Sequence, residues 1–197
     1  MSTLSIIIVN YNTRDDLRAC LTALAGSQRR ADEIIVVDNA SSDGSAEMVR
    51  AAFPAVMLIT PGHNTWFCGG NNLGAAFAQG DYVLLLNPDT VVQPDSLGVL
   101  LDFMDAHPDY AGATMQLRYP DGGIQRTCSR IASYRYLLLT HTPFGWLRPN
   151  ARRAAEAEHW YGDWGRDSDR DVETLPGSCT LMRRAASRKI AGSGLPG

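Results

Sequence analysis

No stretch of the 197-residue chain reaches about 18 consecutive apolar residues, so the sequence holds no candidate membrane-spanning helix. The opening Met-Ser-Thr-Leu-Ser carries no positive charge and leads to no small-residue cleavage site, which argues against a secretory signal. Cysteine is sparse: Cys20, Cys68, Cys128 and Cys179 lie far apart with no C-x-x-C pair, so neither a zinc site nor a disulfide framework is expected. Reduced thiols in a cytoplasmic protein are the expectation, and Asn39-Ala40-Ser41 is then a chance match to a glycosylation sequon. His63, His107, His141 and His159 show no metal-ligand spacing and read as surface or structural residues. Neither charge sign dominates: 18 Lys and Arg against 21 Asp and Glu give a net charge of −3, so there is no global footprint for nucleic acid.

The hydrophobic fraction of 45% and charged fraction of 20% are those of a globular protein. Leu4 to Val9 is a continuous apolar run with the length of a buried strand. Thr13, Asp15 and Asp16 then supply a cap and first-turn acids, and Leu17, Cys20, Leu21 and Leu24 recur on one helical face. Ile34 to Val37 is a second buried strand ending on Asp38, and Ser41, Ser42 and Asp43 offer N-caps to a helix that Pro54 stops. Val56 to Ile59 is a third strand. A Gly- and Asn-rich loop follows from Pro61 to Asn72, leading into a short helix to about Gln79. Tyr82 to Leu86 is a fourth strand. A helix then carries Leu97, Leu100, Leu101 and Met104, a further strand is predicted over Tyr110 to Leu117, and another within Asp171 to Met182, around Pro176-Gly177-Ser178. All-apolar strands alternating with helices predict an α/β, Rossmann-like, mostly parallel central sheet with helices on both faces.

In such a sheet, ligands bind at the carboxyl ends of the strands. Polar residues collect there: Asn10-Tyr11-Asn12 after the first strand, Asp38-Asn39 after the second, Asn87-Pro88-Asp89 after the fourth. The loop after the third holds His63, Asn64, Gly69, Gly70, Asn71 and Asn72. Taken singly, each is equally a turn with Asx hydrogen bonds or a flexible Gly-rich connection; four together at one edge point to a site. A G-x-G-x-x-G turn after the first strand is missing, as is any G-x-x-x-x-G-K-[ST] loop, which excludes the usual dinucleotide and P-loop modes. Phosphate is then handled by a divalent cation, Mg²⁺ or Mn²⁺, with Asp89 the candidate ligand.

At this point the sequence resembles glycosyltransferase family 2, in its rhamnosyltransferase-like branch. The matching segments are Ile8 to Asn12, Ile35 to Ser45, Asn64 to Gly74 and Gly80 to Thr90, with a weaker match over Pro176 to Arg184. The resemblance is dense over residues 4–117 and sparse beyond. It implies a GT-A fold and an inverting displacement, in which an acceptor hydroxyl attacks the anomeric carbon of a nucleotide sugar, UDP- or dTDP-linked. It implies that Asn10, Tyr11 and Asn12 line the base and ribose pocket, and that Asp38 hydrogen-bonds the pyrimidine. Asn64, Asn72 and the Gly69-Gly70 backbone approach the ribose or donor sugar. Asn87-Pro88-Asp89 resembles the family's D-x-D element with Asn in its first place, Asp89 binding the metal and Asn87 the ribose. Residues 1–117 would form the donor-binding half and residues 118–197 the acceptor side of one continuous domain.

The family's general base is an Asp or Glu shortly after the segment that resembles Gly177 to Arg184, yet no carboxylate occurs from Thr174 to Gly197. The expectation is a truncated or frame-shifted C-terminus, with the catalytic residue unassigned and Asp163, Asp167, Asp169, Asp171 and Glu173 as weak substitutes. On the acceptor side, residues 118–153 carry seven arginines against Asp121 alone, and residues 156–173 carry seven acids against two arginines. The basic stretch, with Tyr134, Tyr136, Phe144 and Trp146, suits an anionic lipid-linked acceptor or glycan precursor and peripheral attachment at the inner face of the plasma membrane. The alternative is a solvated loop with its apolar residues tucked into the core. Two other functions compete: a nucleotidyltransferase, which would want a Gly-, Arg- and Lys-rich loop after the first strand, and a non-catalytic nucleotide-sugar-binding protein.

Overall fold

A strand of β-branched residues is stable where both of its faces are covered and both of its edges paired. In the computed structural model, which describes residues 2–186, β1 (Leu4–Asn10) meets both conditions: it lies parallel to β2 (Glu33–Asp38) on one side and to β4 (Tyr82–Leu86) on the other. The parallel set continues through β3 (Met57–Ile59) beyond β2. On the other side, β6 (Cys179–Arg183) runs antiparallel to β4 and carries β5 (Gly112–Ala113) on its outer edge. The order across the six strands is β3-β2-β1-β4-β6-β5. This is the mostly parallel α/β sheet that the alternation of strands and helices predicts.

Helices α1 (Arg14–Ala25) and α4 (Ser96–Ala106) bury the positions their periodicity marks, Leu17, Cys20, Leu21 and Leu24 in the first and Leu97, Leu100, Leu101 and Met104 in the second. Helix α2 (Ser45–Ala52) starts later than the Ser41-Ser42-Asp43 run suggests. Ser41 is occupied elsewhere, and the chain turns through Gly44 at φ 81° before the Asp43 carboxylate accepts from the Ser45 N–H at 3.0 Å.

Three expectations are corrected. The Gly- and Asn-rich stretch is helix α3 (Trp66–Phe77) from its sixth residue onward, not a loop up to Asn72. A side-chain β-carbon on Gly70 would sit 2.7 Å from Val9 Cγ1, and one on Gly74 2.5 Å from Ile7 Cγ2. Two glycines one turn apart therefore let α3 lie directly on β1, and Leu73 and Ala75 pack against the cluster of Ile7, Ile35, Val37, Ala78 and Val83. The strand expected over Tyr110 to Leu117 shrinks to Gly112–Ala113, and the C-terminal strand begins at Cys179, after the Pro-Gly-Ser stretch.

Among the described residues, those up to Met115 and those after Pro176 form one compact unit containing the sheet; Gln116–Pro176 form a second. The second unit holds α5 (Tyr134–His141), a short 3-10 turn (Pro143–Gly145) and α6 (Pro149–His159). Its centre is aromatic: Tyr136 stacks on His159 at 3.8 Å between ring centroids, and the guanidinium groups of Arg130 and Arg170 each lie 4.7 Å from the ring of buried Tyr161. The truncated or frame-shifted end expected after Arg184 lies, from residue 187 onward, outside the described residues.

Gly74→Ala forces Ile7 or the helix to move and is expected to lower stability by about 1–3 kcal/mol. Gly98→Ala, on α4 with nothing nearer than Arg29 Cβ at 3.7 Å, is expected to be neutral or to add up to about 1 kcal/mol. Denaturant melts of the two variants check the difference; equal effects would contradict the close approach of α3 to β1.

Candidate functional site

Because β1, β2 and β4 are parallel neighbours, the chain leaves all three at the same edge. The register sets Asn10 opposite Asp38, and continuing the β1–β4 pairing of Ile7 with Leu85 sets Asn10 level with Pro88. The sheet order also reverses here, since the chain steps outward from β1 to β2 and β3 and then returns to β4 on β1's other side. Such a reversal opens a crevice between the diverging loops.

Two of the expected site residues are turned inward. Asn10 and Asp38 are both buried, and their side chains bind each other, Asn10 Nδ2 donating to Asp38 Oδ1 at 2.8 Å. Ser41 completes the arrangement: its hydroxyl donates to Asp38 Oδ1 at 2.6 Å and its N–H to Oδ2 at 3.1 Å. The Asn12 N–H donates to the same hydroxyl at 2.9 Å, and Thr13 Oγ1 donates to Asn10 Oδ1 at 2.7 Å instead of capping α1. A carboxylate buried this way stays favourable because each oxygen has a donor.

A second clasp ties α3 to the end of β2. Asn39 Oδ1 accepts from the Thr65 N–H at 3.2 Å and from its hydroxyl at 2.7 Å. Asn64 Oδ1 accepts from the Trp66 N–H at 2.8 Å. Three residues without a glycine's freedom adopt left-handed backbone at this edge: Asn12 (φ 55°), Ala40 (φ 60°) and Trp66 (φ 61°). Strain of this kind persists where surrounding hydrogen bonds over-determine it. Trp66 and Tyr11 are left exposed beside the clasps. Of the α3 residues in the expected site, Gly70 is buried against Val9, Gly69 lies against Thr65, and Asn72 is exposed.

Asn87-Pro88-Asp89 leaves β4 with its backbone fixed and its last side chain free. The Asn87 N–H donates to the Ser178 carbonyl at 2.8 Å, so the Gly177-Ser178 stretch returns alongside it. Cys20 Sγ lies 3.9 Å from the Asn87 carbonyl, and its thiol is pushed up to about 12, first by burial and then by the Asp89 charge. Cys179 is pushed up to about 11, also by burial. Both thiols stay protonated and are packing groups, not nucleophiles. Asp89 itself is exposed, and among the described residues its carboxylate makes no hydrogen bond or ion pair. Among those residues no cluster of three or more His, Cys, Asp or Glu gathers as a metal site. A single free carboxylate is nevertheless compatible with a hard cation that keeps waters and takes its other oxygens from a diphosphate.

The carboxylates considered as substitute bases all lie in the second unit. Asp163 is held by Arg170 at 3.0 Å, a hydrogen bond that lowers its pKa, and Glu173 by Arg130 at 3.2 Å. The Asp163 pairing works against proton abstraction. Sequence alone does not mark Thr13, Ser41 and Thr65 for the site, although their hydrogen-bonding side chains flank the strand ends; Ser41 reads as a helix cap until its partner is seen.

Two substitutions separate strain from support. Ala40→Gly is expected to raise stability by about 1 kcal/mol, since Ala40 is exposed and loses only a left-handed penalty. Asp38→Ala removes one acceptor from buried Asn10, which keeps Ser41 Oγ at 3.1 Å, and both acceptors from half-buried Ser41, and is expected to lower stability by about 1–3 kcal/mol. Thermal unfolding measures both; a destabilised Ala40→Gly would contradict the strain.

Known proteins agree with this architecture. Residues 5–191 match the profile described as glycosyl transferase family 2. The chain is 26% identical over 202 residues to an N-acetylglucosaminyl-diphospho-decaprenol L-rhamnosyltransferase of Mycobacterium tuberculosis, a match covering 96% of this chain and 64% of that protein. Among solved structures it is similar to S. aureus TarS 1-349, at TM-score 0.64 and 18% identity over 98% of this chain and 50% of that one. It is similar too to the mannosyltransferase PcManGT of Pyrobaculum calidifontis in complex with GDP-Man and Mn²⁺, at TM-score 0.65 and 19% identity over 99% and 48%. The chain thus spans less than two thirds of that rhamnosyltransferase and about half of each solved neighbour. The structural likenesses bear on the fold, which is the GT-A arrangement expected from the sequence. With the family profile spanning nearly the whole sequence, the chain belongs to glycosyl transferase family 2.

Proposed function

We propose that this chain carries the donor-binding half of an inverting sugar transferase, taking a nucleoside-diphosphate sugar at the β1/β4 crevice and passing the sugar to a hydroxyl on a glycan or lipid-linked acceptor. The observation that carries the reading is the free Asp89 carboxylate at the reversal of strand order, in a family-2 chain. Support for a nucleotide-sugar donor comes from relatives: one solved neighbour is in complex with GDP-Man and Mn²⁺, and a TarS structure is in complex with UDP. The rhamnosyltransferase's name supports a lipid-linked acceptor.

In this reading the clasped Asn10, Asp38 and Ser41 act as a preorganised floor, and exposed Tyr11 and Trp66 offer aromatic faces to the base or sugar. Asn87 and Asn72 supply amide hydrogen bonds to ribose or sugar hydroxyls. Asp89 holds the divalent cation, Mg²⁺ or Mn²⁺, and when bound that ion neutralises charge on the departing diphosphate. The attacking hydroxyl must lose its proton to a carboxylate as the bond to the anomeric carbon forms.

A second reading, donor binding without turnover by this chain, is favoured by one fact: Thr174 to Gly197 contain no Asp or Glu. Calorimetric titration with UDP, dTDP and GDP, each with and without Mn²⁺, tests the shared part. One diphosphate is expected to bind in a manganese-dependent manner, with Asp89→Ala weakening it by about tenfold or more, or roughly 1.4 kcal/mol. Manganese-independent binding, or none, would remove Asp89 from the site. Release of nucleoside diphosphate from its sugar donor in the presence of acceptor separates transfer from binding alone.

A further inference from the structure

From Gly122 to Ala155 the chain holds six arginines and no Asp or Glu. Four of these arginines, Arg135, Arg148, Arg152 and Arg153, lie on the hairpin of α5, the 3-10 turn and α6 in the second unit, and the end of α6 also carries Glu156 and Glu158. One face of α5 is used internally: Leu139 is buried and Tyr136 stacks on His159. The other face is uncovered, with Tyr134 93% exposed and Leu138 50%. The turn continues it. Gly145 packs so closely against the Leu139 carbonyl that no side chain fits there. The residues around it then point outward, with Phe144 48%, Trp146 77% and Leu147 79% exposed. Five large apolar side chains on one short hairpin are far more than scattered surface hydrophobics, and their apolar contact has to come from outside the hairpin.

The charges near them identify the occupant. Arg135 and Arg152 are paired with Glu158 and Glu156, so they add little field. Arg148 instead places its guanidinium 5.8 Å from the Phe144 ring centroid, and among the described residues neither Arg148 nor Arg153 forms an ion pair. A turn that offers Trp, Phe and Leu flanked by unpaired arginines matches the boundary of an anionic bilayer, where aromatic rings sit at headgroup level and arginines meet lipid phosphates. No helix among the described residues is long and apolar enough to cross a membrane, so the contact is with one surface.

We infer that the α5–α6 hairpin is a docking surface for an anionic phospholipid bilayer, with Trp146 and Leu147 as the apolar anchor and Arg148 and Arg153 as its electrostatic partners. The surface is separate in sequence from the donor-site residues, so it stands or falls independently of nucleotide binding. Co-sedimentation of the full chain with phosphatidylcholine vesicles, with and without phosphatidylglycerol, is the test. Binding is expected only with the anionic lipid and is expected to weaken sharply at about 1 M salt. The double variants Trp146→Ser/Leu147→Ser and Arg148→Glu/Arg153→Glu are each expected to reduce partitioning by about tenfold or more. All four positions are outside the core, and unchanged circular dichroism and melting temperature are required of both variants. No sedimentation with anionic vesicles, or sedimentation indifferent to both variants, would overturn the inference. So would concentration-dependent self-association abolished by Trp146→Ser/Leu147→Ser without vesicle binding, which would give the face to a second copy of the chain.

Discussion

A carboxylate buried at the end of a strand has to be surrounded by donors, and the supply of donors to Asp38 organises the whole edge of the sheet. Its two oxygens take one side-chain amide from β1 and a hydroxyl and an N–H from the loop that follows β2. The same Ser41 hydroxyl accepts from the Asn12 N–H, so the loops after β1 and β2 are one hydrogen-bonded body. Asn39 extends that body to Thr65 and the start of α3. Moving any of these loops alone leaves a buried polar group without a partner, which is costlier than the strain at Asn12, Ala40 and Trp66. The edge is therefore rigid where a ligand would meet it, and rigidity lowers the ordering cost of binding.

Much of this fold is legible in the sequence, because buried parallel strands and one-sided helices leave strong patterns. Ile6, Ile7 and Ile8 can only be a strand covered on both faces, and Leu17, Cys20, Leu21 and Leu24 can only be one face of a helix. Helix α3 is hidden for the opposite reason. Its Gly69-Gly70-Asn71-Asn72 run has the composition of a turn, and local propensity opposes the helix. Tertiary packing overrides it, since only glycine at positions 70 and 74 lets the helix settle onto Val9 and Ile7. Strand direction is hidden as well. Periodicity carries no arrow, so no local signal marks the antiparallel return of β6 beside β4, with two residues of β5 outside it.

The same distinction runs through the candidate site. The sequence locates the edge, since polar residues at the ends of successive apolar strands have nowhere else to go. It does not sort them into those facing inward and those facing outward. Asn10 directly follows the apolar run of β1 and Asp89 stands three residues beyond that of β4, yet one is fully buried and hydrogen-bonded and the other carries an unpaired charge at the surface. What separates them is the neighbouring strand. Asn10 is level with Asp38 in the β1–β2 register and finds a partner there, whereas Asp89 lies one residue past the level of Asn10 and two past a backbone already held by Ser178. Register, which is a property of pairs of strands, decides which polar group becomes framework and which remains available to a ligand.

Composition is still less informative about the second unit. Tyr134, Phe144, Trp146 and Leu147 in an arginine-rich stretch fit either a small core or an exposed face, and the deciding quantity is the interior volume that two short helices can enclose. Helix α5 has eight residues and α6 eleven. Leu139 and Ala155 are the residues these two helices bury, alongside the stacked Tyr136 and His159. Such a hairpin has a high surface-to-volume ratio and lacks the interior for five more large side chains. Tucking the turn inward is also closed off, because Gly145 already holds it against the end of α5. The apolar residues are consequently outside by geometry, and Arg148, 5.8 Å from the Phe144 ring centroid and without an ion pair among the described residues, puts positive charge beside them. An apolar surface with a positive rim is poorly matched to water and well matched to a medium that is apolar within and anionic at its boundary.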